Sequence, residues 1–344
     1  MSSLDEPAVS VASEAEVAID ARAPAATERL LGLPHWQRLA LAARHAGCSE
    51  LQLWVADPGA VARFQGWVAQ DARLSRIRVS ADEPPAATLR LPGAAVLDAP
   101  AIQALRAGAA WPPGEGLCLA AELPAAEKVR ALLSSLANSS SDGLVDTWLN
   151  RPISRQLTRL LVGTGISPNA VTVLSCLIGI AGAAAIASCD PRLGVVGAHL
   201  FQLSAAVDCV DGEIARLTYR FSPFGARLDL ALDNLVHLLI FPAVALAAST
   251  RLGPELAWVL GGATCLGAFV SFLIVYWLTF SGSAGTSSGL RRLLDKLTNR
   301  DFSLAVIAAA ILGRWDLLLW VLAAGTNLFW LVLGSLALWG RRGR

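Results

Sequence analysis

The sequence carries almost no net charge and few charged residues. Lys and Arg number 28 against 27 Asp and Glu, which gives a net charge of +1 over 344 residues. Because binding to a nucleic-acid backbone draws on a basic excess, we expect no nucleic-acid partner. Charged residues make up 16% of the chain and hydrophobic residues 54%, so the composition indicates that at least part of the chain lies in a membrane.

The cysteines show no pairing pattern, and the N-terminus shows no secretion signal. None of the six cysteines stands in a CxxC or another metal-ligand spacing, and most lie in apolar stretches, where Cys acts as a small hydrophobe. Residues 1–23 are rich in Ala and acidic residues and lack the basic segment and apolar core of a signal peptide. We predict that 1–23 is a disordered tail.

Residues 24–137 have the pattern of a small cytosolic α/β domain. Short β-like runs alternate with segments of helical periodicity, which predicts a βαβ layout. A Ser-rich linker is predicted to follow at 138–144. The predicted strands are 51–55, 77–79, 88–91 and 116–121, and the predicted helices are 36–46, 58–69 and 125–136.

One segment of this domain, GLPHWQRLALAARHAGCSELQLWV at 32–55, resembles the early part of sugar-phosphate nucleotidyltransferases. Such enzymes need a Gly-rich, basic phosphate loop before this helix. Here that region reads APAATERLL. We therefore predict a degenerate, catalytically inactive nucleotidyltransferase-like domain, kept for dimer contacts, stability or partner binding.

A helix lying in the membrane interface is predicted over 145–165. One face is apolar and another carries Arg151, Arg155 and Arg159 at steps of four, which is typical of an interfacial amphipathic helix. These arginines either contact lipid phosphate or help to bind an anionic substrate, and both alternatives stay open. The apolar face comprises Trp148, Leu149, Ile153, Leu157, Leu160 and Leu161.

Residues 166–340 contain six apolar segments that we predict to be transmembrane helices, since a bilayer core of about 30 Å takes about 20 helical residues. They are 169–188, 193–211, 224–248, 256–280, 302–312 (the shortest) and 316–339. The expected fold class is an α-helical polytopic membrane protein, with six transmembrane helices, an interfacial helix and a small N-terminal α/β cytosolic domain.

Basic residues are concentrated in the loops on one side of these spans. The positive-inside rule places that side, both termini and the loop after the second span in the cytoplasm, and we predict a multi-pass protein of the inner cell membrane. The loops on that side carry Arg216, Arg220, Arg291, Arg292, Lys296, Arg300, Arg341, Arg342 and Arg344, whereas the opposite loops carry Arg192, Arg251 and Arg314.

Four carboxylates stand where the second span ends and the third begins. An acid at membrane depth costs about 2.5 kcal/mol or more unless it faces a polar cavity or a cation. Asp208 and Asp211 share one helix face, and Asp229 and Asp233 share another. Oxygen ligands without a nearby Cys and His pair favour Mg²⁺, Mn²⁺ or Ca²⁺ over zinc, and four carboxylates can hold two ions.

The residues between the acids suit a phosphate-containing ligand. Ser222-Pro223 is typical of a helix start, so one helix ends near Leu217 and the next begins near Phe224. Gly212 and Gly225 let a ligand approach the backbone closely. An arginine at 216 can neutralise a phosphate.

Together these residues resemble the signature of the CDP-alcohol phosphotransferases at all eight fixed positions: Asp208-x2-Asp211-Gly212-x2-Ala215-Arg216-x8-Gly225-x3-Asp229-x3-Asp233. The resemblance implies a six-helix membrane enzyme, usually a homodimer, that displaces CMP from a CDP-linked donor with an alcohol acceptor. It implies that the first three aspartates bind metal, most simply two Mg²⁺ or Mn²⁺ ions. It makes Asp233 the general base on the acceptor hydroxyl and a further metal contact.

The resemblance also implies where the substrates bind. The CDP donor would contact Gly212, Ala215, Arg216 and Gly225, together with Asn169 and Thr172 of a PN-x-x-T element. LNRPIS at 149–154 and LTNRD at 297–301 resemble runs in members that use phosphorylated inositol acceptors, which favours a polyol-phosphate acceptor. The acceptor-binding residues we predict are Arg151, Arg155, Arg220 and Arg291. The donor alternatives are CDP-diacylglycerol and a soluble CDP-alcohol.

Two other interpretations compete with an enzyme. The acids can belong to a non-catalytic ion-binding membrane scaffold or transporter, or to a salt-bridge network that joins two helices. Ion passage alone needs neither Arg216 nor the two glycines, so we prefer the enzyme, with membrane lipids and a second copy of the chain as further partners.

Overall fold

The structure is a computed structural model that describes residues 17–86, 88–136, 145–280 and 302–342. It divides into two compact units, Met1–Ser135 and Leu136–Arg344. The predicted linker at 138–144 and the basic loop with Arg291 lie outside the described residues.

The N-terminal unit is built on a parallel sheet of four strands, in the order Ile77–Ser80 (β5), Leu51–Trp54 (β4), Val17–Asp20 (β1) and Leu89–Pro92 (β6), which confirms the predicted βαβ layout. Helix α3 was not predicted. The elements are β1 Val17–Asp20, β2 Arg29–Leu30, β3 Leu33–Pro34, α1 His35–His45, β4 Leu51–Trp54, α2 Pro58–Ala69, β5 Ile77–Ser80, β6 Leu89–Pro92, β7 Val96–Leu97, α3 Ala99–Arg106, β8 Cys118–Leu119 and α4 Ala125–Ser135.

The expected disordered tail over 1–23 is wrong for its last residues. Val17–Asp20 forms β1, which lies in the middle of the sheet between β4 and β6. Val17 and Ile19 are both fully buried. Because a central strand of a parallel sheet is covered on both faces, the apolar side chains of β1 are buried. The acidic composition of residues 1–23 did not indicate this burial.

The C-terminal unit is a bundle of long helices. In the part of this unit that the structure describes, five helices are long and apolar enough to cross a membrane, and Phe302–Leu312 (α10) is a shorter apolar helix, so the count of six spans stays a prediction. The helices are α5 Arg151–Leu161, α6 Pro168–Ala187, α7 Pro191–Thr218, α8 Pro223–Leu252, α9 Pro254–Phe280, α10 Phe302–Leu312 and α11 Trp315–Arg342.

Helix α6 packs against both α7 and α8. Its contact with α7 is close because two glycines face each other: a Cβ added to Gly197 would come within 2.6 Å of the Gly182 carbonyl oxygen. Small residues at such crossings let backbones approach in a membrane, where packing rather than hydrophobic burial drives helix association.

The turn between α7 and α8 follows the sequence signals. Tyr219 ends α7 with a left-handed φ of 54°, and Ser222 begins α8 by accepting a hydrogen bond from the Gly225 amide at 2.9 Å. This confirms the expected helix end near Leu217 and start near Phe224, and it fixes the first turns of α8 close to the end of α7.

Helix α5, with the π-helical turn Asp146–Asn150 before it, exposes several of its apolar side chains and buries several of its polar ones. Trp148 is 79% exposed and Leu160 is 72% exposed, whereas Ser154 and Thr158 are fully buried. The reverse holds for helices on soluble proteins. The predicted helix is confirmed over Arg151–Leu161, and its position in the membrane interface stays a prediction.

Candidate active site

Three of the four predicted acids converge. Asp208 and Asp211 on α7 and Asp229 on α8 each place one carboxylate oxygen within 4.8 Å of the others. Asp211 is buried, and the other two are half-buried. The i, i+3 spacing on α7 and the short turn to α8 bring these side chains to one point from two helices.

This donor set fits a divalent metal ion. It consists of carboxylate oxygens only, which hard cations such as Mg²⁺ and Mn²⁺ prefer as ligands. Three carboxylates so close together repel one another unless a cation or protons offset their charge. The residues present therefore suit the metal that the sequence predicted at this position.

Hydroxyl groups of α6 orient the two acids on α7. Thr172 donates a hydrogen bond to Oδ2 of Asp211, and Ser175 donates one to Oδ1 of Asp208 at 3.3 Å. Thr172 was predicted near the donor site. Sequence reasoning missed Ser175, although its position three residues after Thr172 places both hydroxyls on the same face of α6.

Asp233 lies one turn beyond Asp229 on α8 and is half-buried. It is not one of the three carboxylates that converge. Its predicted contact with a metal and its predicted role as general base stay predictions. His237, one turn further on, packs among Phe201, Phe241 and Phe302.

A cavity of about 440 Å³ opens beside the acids. Its wall contains all six residues predicted to bind the donor, as well as Arg220, and two of the converging acids, Asp211 and Asp229. Phe221 and Ser222 of the turn also line it, which the sequence did not indicate. The six residues predicted to bind the donor are Asn169, Thr172, Gly212, Ala215, Arg216 and Gly225.

Two glycines lie in this wall, and one of them, Gly225, has no room for a side chain. A Cβ on Gly225 would come within 2.9 Å of both Asn169 Oδ1 and Ser222 Oγ. At Gly212 the neighbour is the guanidinium of Arg216, 3.4 Å from where a Cβ would stand. Gly225 thus leaves space for the Asn169 amide, whereas a Cβ at Gly212 would make only an ordinary contact with Arg216.

The cavity combines acidic and basic side chains. Arg216 and Arg220 are exposed, and Arg220 donates a hydrogen bond to the Gly165 carbonyl at 3.2 Å. A ligand in the cavity therefore meets both guanidinium groups and carboxylates. A pyrophosphate together with divalent cations is the ligand chemistry that matches both.

The structure separates the predicted acceptor residues. Arg220 lines the cavity, and Arg155 is half-buried on α5. Arg151 is buried and forms an ion pair with Glu213 of α7 at 3.2 Å. Sequence reasoning missed Glu213. The fourth residue, Arg291, lies outside the described residues.

Comparison with known proteins gives a consistent result. A family model described as "CDP-alcohol phosphatidyltransferase" matches residues 165–339, about half of the chain, including every acid described above. The "Bifunctional IPC transferase and DIPP synthase" of Rubrobacter xylanophilus is 38% identical over 177 residues, which are 50% of this chain and 37% of that protein.

Two further relatives are similar. The protein of the same name from Aquifex aeolicus is 31% identical over 221 residues, 62% of this chain and 48% of the relative. The "Archaetidylinositol phosphate synthase" of Pyrococcus horikoshii is 30% identical over 105 residues, 30% of this chain and 53% of the relative. The chain thus spans about half, or less, of the length of these curated relatives.

Proposed function

The chain belongs to the CDP-alcohol phosphatidyltransferase family, and on this premise we propose that it transfers a phospho-alcohol group from a CDP-linked donor to an alcohol acceptor, with release of CMP. The observation that carries the proposal is the convergence of Asp208, Asp211 and Asp229 beside a cavity with arginines on its wall. An enzyme that handles a pyrophosphate needs both charges.

The donor binds with its pyrophosphate between the acids and Arg216. Asp208, Asp211 and Asp229 would hold two Mg²⁺ or Mn²⁺ ions, and such ions would offset the charge of the pyrophosphate and polarise its phosphorus. Gly212, Ala215 and Gly225 give the cytidine side of the donor a smooth wall. Asn169 offers it an amide, and Thr172 keeps the Asp211 carboxylate in place.

Asp233 takes the proton from the acceptor hydroxyl. The acceptor oxygen forms a bond to the phosphorus distal to cytidine, the bond from that phosphorus to the CMP oxygen breaks, and CMP leaves. Half-burial of Asp233 suits this role because it limits the access of water that would compete with the acceptor.

The acceptor we propose is a phosphorylated polyol. The names of the relatives support this choice, since one of them is an archaetidylinositol phosphate synthase. Arg220 on the cavity wall is the described residue best placed to meet the acceptor phosphate, and Arg155 and Arg291 remain candidates. For the donor, both CDP-diacylglycerol and a soluble CDP-alcohol such as CDP-inositol are retained.

The chain is a multi-pass membrane protein. Beyond that, we propose that it is a homodimer of the inner membrane with its cavity open to the cytoplasm, where CDP-linked donors are found. The basic residues around the turn after α7 support this orientation. The outward apolar faces of the helices are left for lipid and for a second copy.

For the N-terminal unit we propose a non-catalytic role. The segment after β1 has a single glycine, at 32, before α1 begins. At the carboxyl end of β1, Arg22 pairs with Asp20 at 2.7 Å and its guanidinium lies 3.4 Å from the Trp54 ring centroid. In open α/β sheets, ligands bind at the carboxyl ends of the strands. In this unit Asp20, Arg22 and Trp54 contact one another at that position. Formation of a CDP-alcohol by the full chain from CTP and a polyol phosphate would contradict this.

The test of the main proposal uses the purified full chain in detergent. CDP-diacylglycerol and CDP-inositol are supplied separately with inositol phosphate, with and without Mg²⁺ or Mn²⁺, and products are identified by mass spectrometry. We expect metal-dependent CMP release with one donor and a product that contains the acceptor. If no CDP-linked donor yields CMP, the chain is a non-catalytic or ion-binding scaffold or transporter instead.

A further inference from the structure

The contact between α5 and α7 contains a buried polar cluster, beside an apolar part where Leu157 and Leu161 pack against Val207, Val210 and Ile214 of α7. Glu213 of α7 is fully buried. It accepts hydrogen bonds from Ser154 and Thr158, each at 2.6 Å, and forms the ion pair with Arg151. Three side chains of one helix thus converge on a single carboxylate of another.

A second polar contact holds the same two segments together. The Gln202 side-chain amide of α7 donates to Asn150 Oδ1 at 2.6 Å, and Asn150 in turn donates to Asp146 Oδ1 at 2.7 Å. Gln202 and Glu213 are 11 residues apart, about three full helical turns, so they lie on the same face of α7. We call these two contacts the α5–α7 clamp.

The clamp grips the face of α7 that points away from the metal-binding acids. Glu213 and Asp211 are two residues apart, about 200° around the helix at 3.6 residues per turn. Gln202 and Asp211 are nine residues apart, which places them about 180° from each other. Asp211 therefore faces Thr172 of α6 on one side while Glu213 is held by α5 on the other.

From this geometry we infer that Glu213 is a positioning residue: with Arg151, Ser154 and Thr158 it fixes the rotation of α7 about its axis and so sets where Asp208 and Asp211 stand. The inference rests on the proposed function. A carboxylate about 5 Å from the helix axis moves about 2 Å when the helix turns by about 20°. A misplacement of about 1 Å can lower activity about 100-fold.

A plain structural role would give a different result from a positioning role. If the clamp only stabilised the fold, weakening it would reduce the amount of folded protein and leave the properties of the folded fraction unchanged. If it positions the acids, folded protein itself should bind metal more weakly and turn over more slowly. Binding of Mn²⁺, followed by the loss of its free EPR signal, reads out the acids without depending on activity.

The experiment compares Thr158→Val, which removes one hydroxyl from Glu213, with Glu213→Gln, which removes the charge. Thr158→Ser keeps the hydroxyl and serves as the conservative rescue. The matched control is Thr264→Val on α9, where a fully buried threonine donates within its own helix to the Leu260 carbonyl at 2.8 Å.

For folded protein isolated by gel filtration, we expect Thr158→Val and Glu213→Gln to raise the Kd for Mn²⁺ and to lower kcat, each about tenfold or more. Thr158→Ser and Thr264→Val should match the wild type. Mn²⁺ affinity and kcat within twofold of wild type in Thr158→Val would overturn the inference, even if Glu213→Gln did not fold. A wild-type protein that releases no CMP would refute the proposed function instead.

Discussion

Gly225 on α8 stands directly against the side chain of Asn169 on α6, since a Cβ at position 225 would lie 2.9 Å from Asn169 Oδ1. Both residues line the cavity. The glycine is thus needed for space: its helical backbone would accept any residue, but the asparagine amide would have to move.

We predict that Gly225→Ala lowers the affinity for the CDP donor by about tenfold or more, because displacing Asn169 disturbs the cavity wall. Donor titrations of CMP release check this. Gly262→Ala on α9 is the control, because a Cβ there meets nothing within 4 Å. The control should keep wild-type donor affinity and gain up to about 1 kcal/mol of stability from helix propensity. Equal behaviour of the two variants would contradict the prediction.

Asp211→Asn should abolish metal binding and reduce turnover by more than about 100-fold, since an amide replaces a charged oxygen ligand. Mn²⁺ binding and CMP release are both measured. The control is Asp190→Asn at the opposite end of α7, where the side chain caps the helix through the Arg192 and Leu193 amides and Asn caps equally well. Retained Mn²⁺ affinity in Asp211→Asn would exclude it as a ligand.

Asp233→Asn separates the two roles predicted for this residue. If it is the general base alone, turnover should fall by about 100-fold or more while Mn²⁺ and donor bind as in the wild type. Loss of Mn²⁺ binding would make it a metal ligand as well. Near-normal turnover in the purified variant would show that the base assignment is wrong.

Arg216→Gln should weaken donor binding by about tenfold or more, because a charged contact to phosphate is lost from the cavity wall. Arg227→Gln is its matched control: Arg227 is also exposed and lies on α8, but it does not line the cavity. Donor KM is measured for both at saturating metal. The same change in KM for both variants would indicate a general charge effect and not a contact in the site.

The N-terminal unit should lose stability in acid because of His35. Burial, together with the positive charges of Lys128 and Arg38, lowers the pKa of His35 to about 4. The unfolded chain, with a pKa near 6.5, binds the proton more readily, so stability is full above about pH 6.5 and falls by up to about 3 kcal/mol as the pH drops toward 4.

Hydrogen exchange at β1 and β4 in the full chain checks this, with variants compared at the same pH. Protection from exchange in the wild type should fall between pH 7.5 and pH 5 because His35 takes up a proton on unfolding. In His35→Gln this fall should be smaller. His45→Gln is the control, because His45 is exposed. An unchanged difference between His35→Gln and wild type at the two pH values would contradict the prediction.

The candidate site was accessible to sequence reasoning because its residues are close in the chain. Asp208, Asp211 and Asp229 sit on two consecutive helices joined by a short turn, and Ser222 marks that turn by a local rule. Local spacing then determines which side chains share a face. The residues that the family resemblance assigned to the donor all line one cavity, and their contact with a donor stays a prediction.

Contacts distant in sequence were not accessible in this way. The periodicity of α5 shows that it has two faces but not which of them is buried, so Arg151 was assigned to a substrate and not to Glu213. In the N-terminal unit, β1 is only four residues long, and it forms a strand because it pairs with β4 on one side and β6 on the other. The buried face of α5 and the strand β1 both depend on residues distant in sequence, which a local pattern does not contain.

The buried ion pair of the α5–α7 clamp has a consequence for how the protein is made. Arg151 precedes Glu213 by 62 residues, which a ribosome adds in roughly 3–12 s at about 5–20 residues per second. During that interval the side chains of α5 that will bond Glu213 have no partner on α7. The ion pair and the hydrogen bonds to Glu213 can form only once α7 has been made, so the docking of α5 onto α7 follows the synthesis of α7.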